Sequence, residues 1–171
     1  MDNDPDLGYD SVIDNEIEEK QRKEYEIMSN KKLTYNDVWT TLRKVDTSKI
    51  EYKKQSLNYI GWADAWATLM DYYPEATYIF EDPTFYGLED KQTCEVTCSV
   101  YIGDLCRTMS LPVMTSSLPM KSIENPTSRD ISDAQARCLV KAIAMFGLGL
   151  HLWEKKDVKK RKGKWVKLSI G

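Results

Sequence analysis

Residues 93–114 constrain the fold of this chain more than any other stretch. From Thr93 to Ile102 apolar and polar side chains alternate without a break. Cys94, Val96, Cys98, Val100 and Ile102 fall on one side, and Thr93, Glu95, Thr97, Ser99 and Tyr101 on the other. A period of two is strand geometry, and a strand with one apolar face needs a second layer to cover it. Gly103-Asp104 is a two-residue hairpin signal, so residues 105–114 are expected to return antiparallel. In that register Leu105, Met109 and Leu111 join the apolar face, and so does Arg107, a cation that then needs a partner or an edge. Pro112 implies that this strand ends at an edge or a bulge.

The covering layer is expected from residues 131–150. Ser132 and Gln135 have capping-box spacing before an apolar run, which predicts one long helix. At 100° per residue Ala136, Leu139, Val140, Ile143, Phe146, Gly147 and Leu150 form its core stripe. The far side is less ordinary: Ala134, Cys138, Ala144, Met145 and Leu148 surround two cations, Arg137 and Lys141, one turn apart. A solvated helix back mixes both signs, so this side reads as a second surface, a groove or an intersubunit wall. Arg137 has Asp133 four residues before it as a candidate ion-pair partner, whereas no acid at i±3 or i±4 balances Lys141.

Ahead of the sheet, a helix is expected from Thr34 or Asn36 to about Lys44. Residues 50–54 read as a short strand or hairpin arm ending in the exposed Lys53 and Lys54, and residues 57–73 as an aromatic-rich helix stopped by Pro74. At helical spacing the aromatics Trp62, Trp66 and Tyr73 are read as packing. Residues 76–81 make a short strand ended by Asp82-Pro83, 85–90 a loop or a further short strand, and 114–130 a polar loop. The order predicts an α+β fold: an antiparallel sheet of three to four strands packed by a long helix, with the aromatic-rich helix before it.

The net charge of −3 hides an asymmetry. Residues 1–30 carry ten acids and three bases, and residues 151–171 eight bases and two acids. This divides the chain into an acidic, disordered or weakly helical segment (1–30), a core domain (31–153) and a basic tail (154–171) that includes Lys155 and Lys156. An acidic head of this kind is suited to compete with an anionic ligand for a cationic surface. No stretch has the apolar length of a membrane span and the acidic N-terminus is no targeting peptide, so an intracellular protein without a membrane partner is expected. Cys94, Cys98, Cys106 and Cys138 read as buried free thiols, because Cys94-x-x-x-Cys98 lacks a second half for zinc.

Nucleotide hydrolysis needs a phosphate-wrapping glycine loop with its lysine, and no G-x-x-x-x-G-K-[ST] occurs. Gly147-x-Gly149 ends a helix rather than opening one, and His151, the one histidine, has no nucleophile motif near it. No cofactor is implied. The acids Glu81-Asp82 and Glu89-Asp90 leave a metal-dependent nuclease as an alternative. Lys53, Lys54, Arg107, Arg129, Arg137 and Lys141 come from segments that an α+β fold can line along one groove, the basis of sequence-independent single-strand binding.

Two blocks, residues 57–67 (LNYIGWADAWA) and 137–150 (RCLVKAIAMFGLGL), resemble the phage single-strand annealing proteins of the Sak/Erf type. Ile102-Gly103-Asp104, residues 109–114 and Asn125-Pro126-Thr127 fit the same pattern. The resemblance spans about residues 38–153 and is similar in fold to the Rad-type annealases, with a β-β-β-α core that assembles into rings or helical filaments. It implies an ATP-independent, non-catalytic protein of phage recombination in a bacterial cytoplasm. Single-stranded DNA and further copies of the chain are the implied partners, with a phage exonuclease or a host single-strand-binding protein as others. The helix cations carry over onto Arg137 and Lys141, and a basic hairpin onto Lys53 and Lys54. Asp64 stands where the superfamily tends to place a cation, and the Lys-rich tail has no counterpart in the pattern. A single-strand coating protein without annealing activity is the nearer alternative.

Overall fold

The computed structural model describes residues 15–24, 32–54 and 57–154, with the backbone of 160–161 and 164–165. The chain divides into two units, Met1–Leu33 and Thr34–Gly171. In the first, residues 15–24 form helix α1, exposed throughout, with Lys23 and Glu19 paired at 2.7 Å.

The second unit opens with α2 (Tyr35–Leu42), where Thr34 and Asp37 form a reciprocal capping box and Val38 and Leu42 are buried. A hairpin follows, β1 (Glu51–Lys54) with β2 (Leu57–Ile60), then α3 (Trp62–Tyr72). The sequence pattern placed residues 57–60 in the helix. The structure pairs them with β1 instead, and Gly61, in extended backbone, is the N-cap from which α3 starts. Of the expected aromatic stripe, Trp66 packs edge-on against Tyr78 at 5.0 Å. Trp62, in the first turn, is 54% exposed and is not core.

The sheet is built on β5 (Thr93–Ile102), which pairs with β6 (Leu105–Pro112) through the expected Gly103-Asp104 turn. Its other edge takes β3 (Thr77–Phe80) and β4 (Thr84–Tyr86), which behave as one broken strand. The register sum changes by one between Phe80↔Cys98 and Thr84↔Glu95, so Glu81-Asp82-Pro83 is a bulge. The bulge reverses side-chain parity and returns Phe85 to the face of Phe80. It also places Pro83 where no ladder bond is lost. The layout is therefore α+β with a β-β-β-α core, three strands with one interrupted, covered by α4 (Ser128–Ala144).

Helix α4 starts five residues before the start that Ser132 as N-cap implies. Its N-cap is Thr127, in a capping box with Asp130, and Ser132 lies inside it. The chain then turns through Gly147 (φ +119°) and Gly149 (φ +67°) into a 3-10 turn, Leu150–Leu152. Leu139, Ile143 and Phe146 are buried as expected, but so are Ala134, Cys138, Ala144 and Leu148, the residues read as a groove wall. The helix is covered by the sheet and also packs on α3. Small residues let it lie close to the strands, and the Cys138 thiol donates to the Met109 carbonyl at 3.0 Å. Only Met145 of that set is exposed.

The loop after β6 is tied down. Ile123 N–H donates to the Val113 carbonyl, and Asn125 exchanges hydrogen bonds with Gln92 and donates to the Asp90 carbonyl. In the tail, Lys160–Arg161 pairs with Lys164–Trp165 as two short strands, β7 and β8. Among the described residues, no helix is long and apolar enough to cross a membrane.

Candidate nucleic-acid interface

With two sides of α4 covered, its three cations fall on one ridge. Arg129, Asp133, Arg137, Lys141 and Met145 follow each other at i+4, one turn apart. Arg129 lies 4.0 Å from the Asp133 carboxylate, and its side chain is 89% exposed. A pair so open to solvent contributes roughly 0–1 kcal/mol and leaves Arg129 available to a stronger anion. Arg137 does not take the Asp133 carboxylate expected for it. It donates to two backbone carbonyls, that of Asp133 at 3.4 Å and that of Met114 at 3.1 Å. The second bond fixes the start of the loop after β6, and both carbonyls leave the positive charge unneutralised. Lys141 is half-buried and, among the described residues, neither it nor Arg137 makes an ion pair.

Lys53 and Lys54 sit at the end of β1, both exposed, but they are not equivalent. In the register Glu51↔Ile60, Tyr52↔Tyr59, Lys53↔Asn58, Lys54↔Leu57, Lys53 shares a face with Glu51 and the buried Ile60. Lys54 shares the opposite, solvent-facing side with Tyr52, Leu57 and Tyr59. The first face roots the hairpin. Ile60 packs so closely on Gly149 that an added Cβ there would lie 2.6 Å from Ile60 Cδ1. The Glu51 carboxylate accepts the Thr47 hydroxyl at 2.5 Å and meets His151 Nε2 at 2.8 Å. Those two bonds, Thr47's first, hold the Glu51 carboxyl below its ordinary range. The hairpin base is thereby attached at the C-terminal end of the α4 segment. Nothing in the sequence pattern singled out Thr47, which is 2% exposed, or the pairing of His151 with Glu51.

Arg107 finds its partner in an aromatic ring. Its guanidinium stacks 3.9 Å from the Tyr35 centroid, and the Tyr35 hydroxyl accepts the Cys106 N–H and donates to the Cys106 carbonyl. Stacking uses the face of the guanidinium and leaves its in-plane N–H groups for other acceptors. Lys155 and Lys156 lie outside the described residues.

The alternative chemistries find less in the geometry. Glu81 and Asp82 form the bulge, and no group of three or more His, Cys, Asp or Glu side chains suited to a metal exists among the described residues. The four cysteines are free, and Cys94, Cys98 and Cys138 are buried. Burial pushes the Cys98 thiol up to about 12 and the Cys138 thiol up to about 11, so both stay protonated and neither is a ready thiolate ligand.

A search of curated proteins finds no match. The sequence pattern of the family described as Sak Single Strand Annealing Protein matches residues 37–167, a span that takes in the hairpin, the whole β-β-β-α core and the α4 ridge. The chain belongs to the Sak single strand annealing protein family.

Proposed function

We propose that this protein binds single-stranded DNA along the α4 ridge and anneals complementary strands in phage recombination, as a homo-oligomeric ring or filament and without nucleotide hydrolysis. The observation that carries the reading is the pair Arg137 and Lys141, two adjacent cations with no carboxylate partner among the described residues, in a chain of the annealing family. Phosphates neutralise them. Arg129, loosely held by Asp133, extends the track by two turns, and the hairpin lysines, with Lys155 and Lys156 from the tail, add further positive charge. Arg107, half-buried over the Tyr35 ring, contributes a further positive charge.

The chemistry is non-covalent. Cations release counterions as they meet phosphates, the strand is held extended, and base pairing supplies the free energy of annealing. Mixing two complementary oligonucleotides that carry a donor and an acceptor dye tests this. Substoichiometric protein is expected to speed pairing without ATP or a divalent metal. A slower rate than the DNA alone would identify a coating protein and overturn the proposal.

A further inference from the structure

Apart from Lys54, the outward face of the β1–β2 hairpin has no role in the phosphate track. Tyr52 and Tyr59 stand directly opposite each other on it, ring centroids 5.8 Å apart and planes inclined at 35°. They are 48% and 43% exposed, Leu57 beside them 44%, and Trp62, the first residue of α3, 54%. A short hairpin that presents this much aromatic surface to water needs an occupant. The character of that occupant follows from the charges. Lys54 stands at one end of the face, opposite Leu57. At the other end the Asp64 carboxylate lies near the Tyr52 hydroxyl, and its charge holds that hydroxyl above its ordinary range. A carboxylate repels phosphate, so a polyanion's backbone can pass Lys54 but not the tyrosines. Flat, uncharged, polarisable groups fit there.

We propose that Tyr52 and Tyr59, flanked by Trp62, form a stacking site for the bases of the bound strand, with Lys54 meeting the backbone at its margin. The site rests on the single-strand binding proposed above and adds a division of labour to it. Phosphates go to the α4 ridge and to Lys54, bases to the hairpin face. Asp64 then has a function instead of being a misplaced charge: it keeps phosphates off the Tyr52 ring. Stacking of this kind is tolerant of sequence, as annealing of arbitrary strands requires.

The test uses two probes of equal length and charge, an ordinary thymidine oligonucleotide and one whose residues are all abasic, both at fixed salt. The wild-type chain is expected to bind the base-bearing strand more tightly than the abasic one. Tyr52→Ala/Tyr59→Ala, and Trp62→Ala separately, should lose about tenfold or more on the former and nothing on the latter, with an unchanged salt slope. Tyr52→Phe/Tyr59→Phe keeps both rings and should bind as wild type, which separates stacking from folding. Lys54→Ala should weaken both strands equally and reduce the salt slope. Equal wild-type affinity for the two probes, or an equal loss on both in the alanine variant, overturns the stacking site and leaves the annealing proposal standing. A change in oligomer size with unaltered base dependence assigns the face to a second copy and overturns it too. Failure of the wild-type chain to bind either probe overturns the annealing proposal itself.

Discussion

Lys141→Ala is the sharpest perturbation of the phosphate track, because the structure gives this side chain little structural work. It is half-buried on an i+4 ridge, and it has no ion-pair partner among the described residues. Removing its ammonium therefore strands no carboxylate, and alanine is the best helix former. The thermal midpoint should stay within a degree or two of wild type. The effect on DNA follows from counterion release, which for single strands contributes about 0.7 to the salt slope per phosphate neutralised. One lost contact then costs about fivefold in affinity at 0.1 M monovalent salt and about fifteenfold at 0.02 M, across all sequences. Fluorescence anisotropy of a labelled oligonucleotide at four or five salt concentrations measures both slope and intercept. Arg137→Ala should lower the slope by a similar amount and also cost roughly 1 kcal/mol of stability, because it removes the bond to the Met114 carbonyl. If Lys141→Ala folds, assembles and keeps the wild-type salt slope, the ridge does not contact phosphate.

Two further outcomes concern the scaffold. Gly147→Ala should destabilise the core by about 1–3 kcal/mol, because its φ is +119° and a Cβ would lie 3.1 Å from the Arg43 nitrogen and 3.2 Å from the Trp39 carbonyl oxygen. Gly103→Asn, in open space at φ +58°, should cost less, and urea midpoints that rank the two the other way would contradict this packing. Glu51 is held below the ordinary glutamate value of 4.5, so its contribution to stability is present above that pH and is lost as pH falls through the lower folded value. Wild type should therefore lose stability more steeply than Glu51→Gln on acidification below about 4.5, and parallel urea-midpoint curves would refute the Thr47–Glu51–His151 anchor.

Strand β5 is legible from sequence to the residue, because one buried face demands one register, whereas β6 ends at Pro112, two residues short of the expected 114. What escaped depended on contacts that the periodicity of a single segment does not show. Residues 57–60 carry apolar side chains compatible with either period. Their pairing with β1 and the break at Gly61 decided for strand. The start of α4 was misplaced because two capping boxes stand in tandem, at 127–130 and 132–135, and nothing local tells which one faces the end of a loop. The apolar back of α4 was read as a groove wall because periodicity reports that a face is buried, not what buries it. Here α3 takes one side and the strands the other, and small residues such as Ala134 and Cys138 are the condition for close contact. The cations fared differently. Arg137 and Lys141 could be singled out because missing acids at i±3 and i±4 are visible in sequence, whereas the ring that holds Arg107 is 72 residues away.

That double coverage of α4 also narrows how a strand can lie. With the sheet on one side and α3 on another, the exposed cations are confined to a single row, and successive i+4 positions rise about 6 Å along the helix axis. A strand winds around its axis as it advances about 3.4 Å per phosphate, so neighbouring phosphates lie farther apart through space than that rise and can meet Arg137 and Lys141 in turn. A strand held by its phosphates along one row turns its bases away from the helix, and bases parted from their neighbours gain from another surface. The exposed rings of Tyr52, Tyr59 and Trp62 are such a surface, on a hairpin rooted through Ile60 and Glu51 at the C-terminal end of the same helix segment. The cation row on the ridge and aromatic exposure on the hairpin thus match the two halves of the strand proposed to bind there, phosphates and bases.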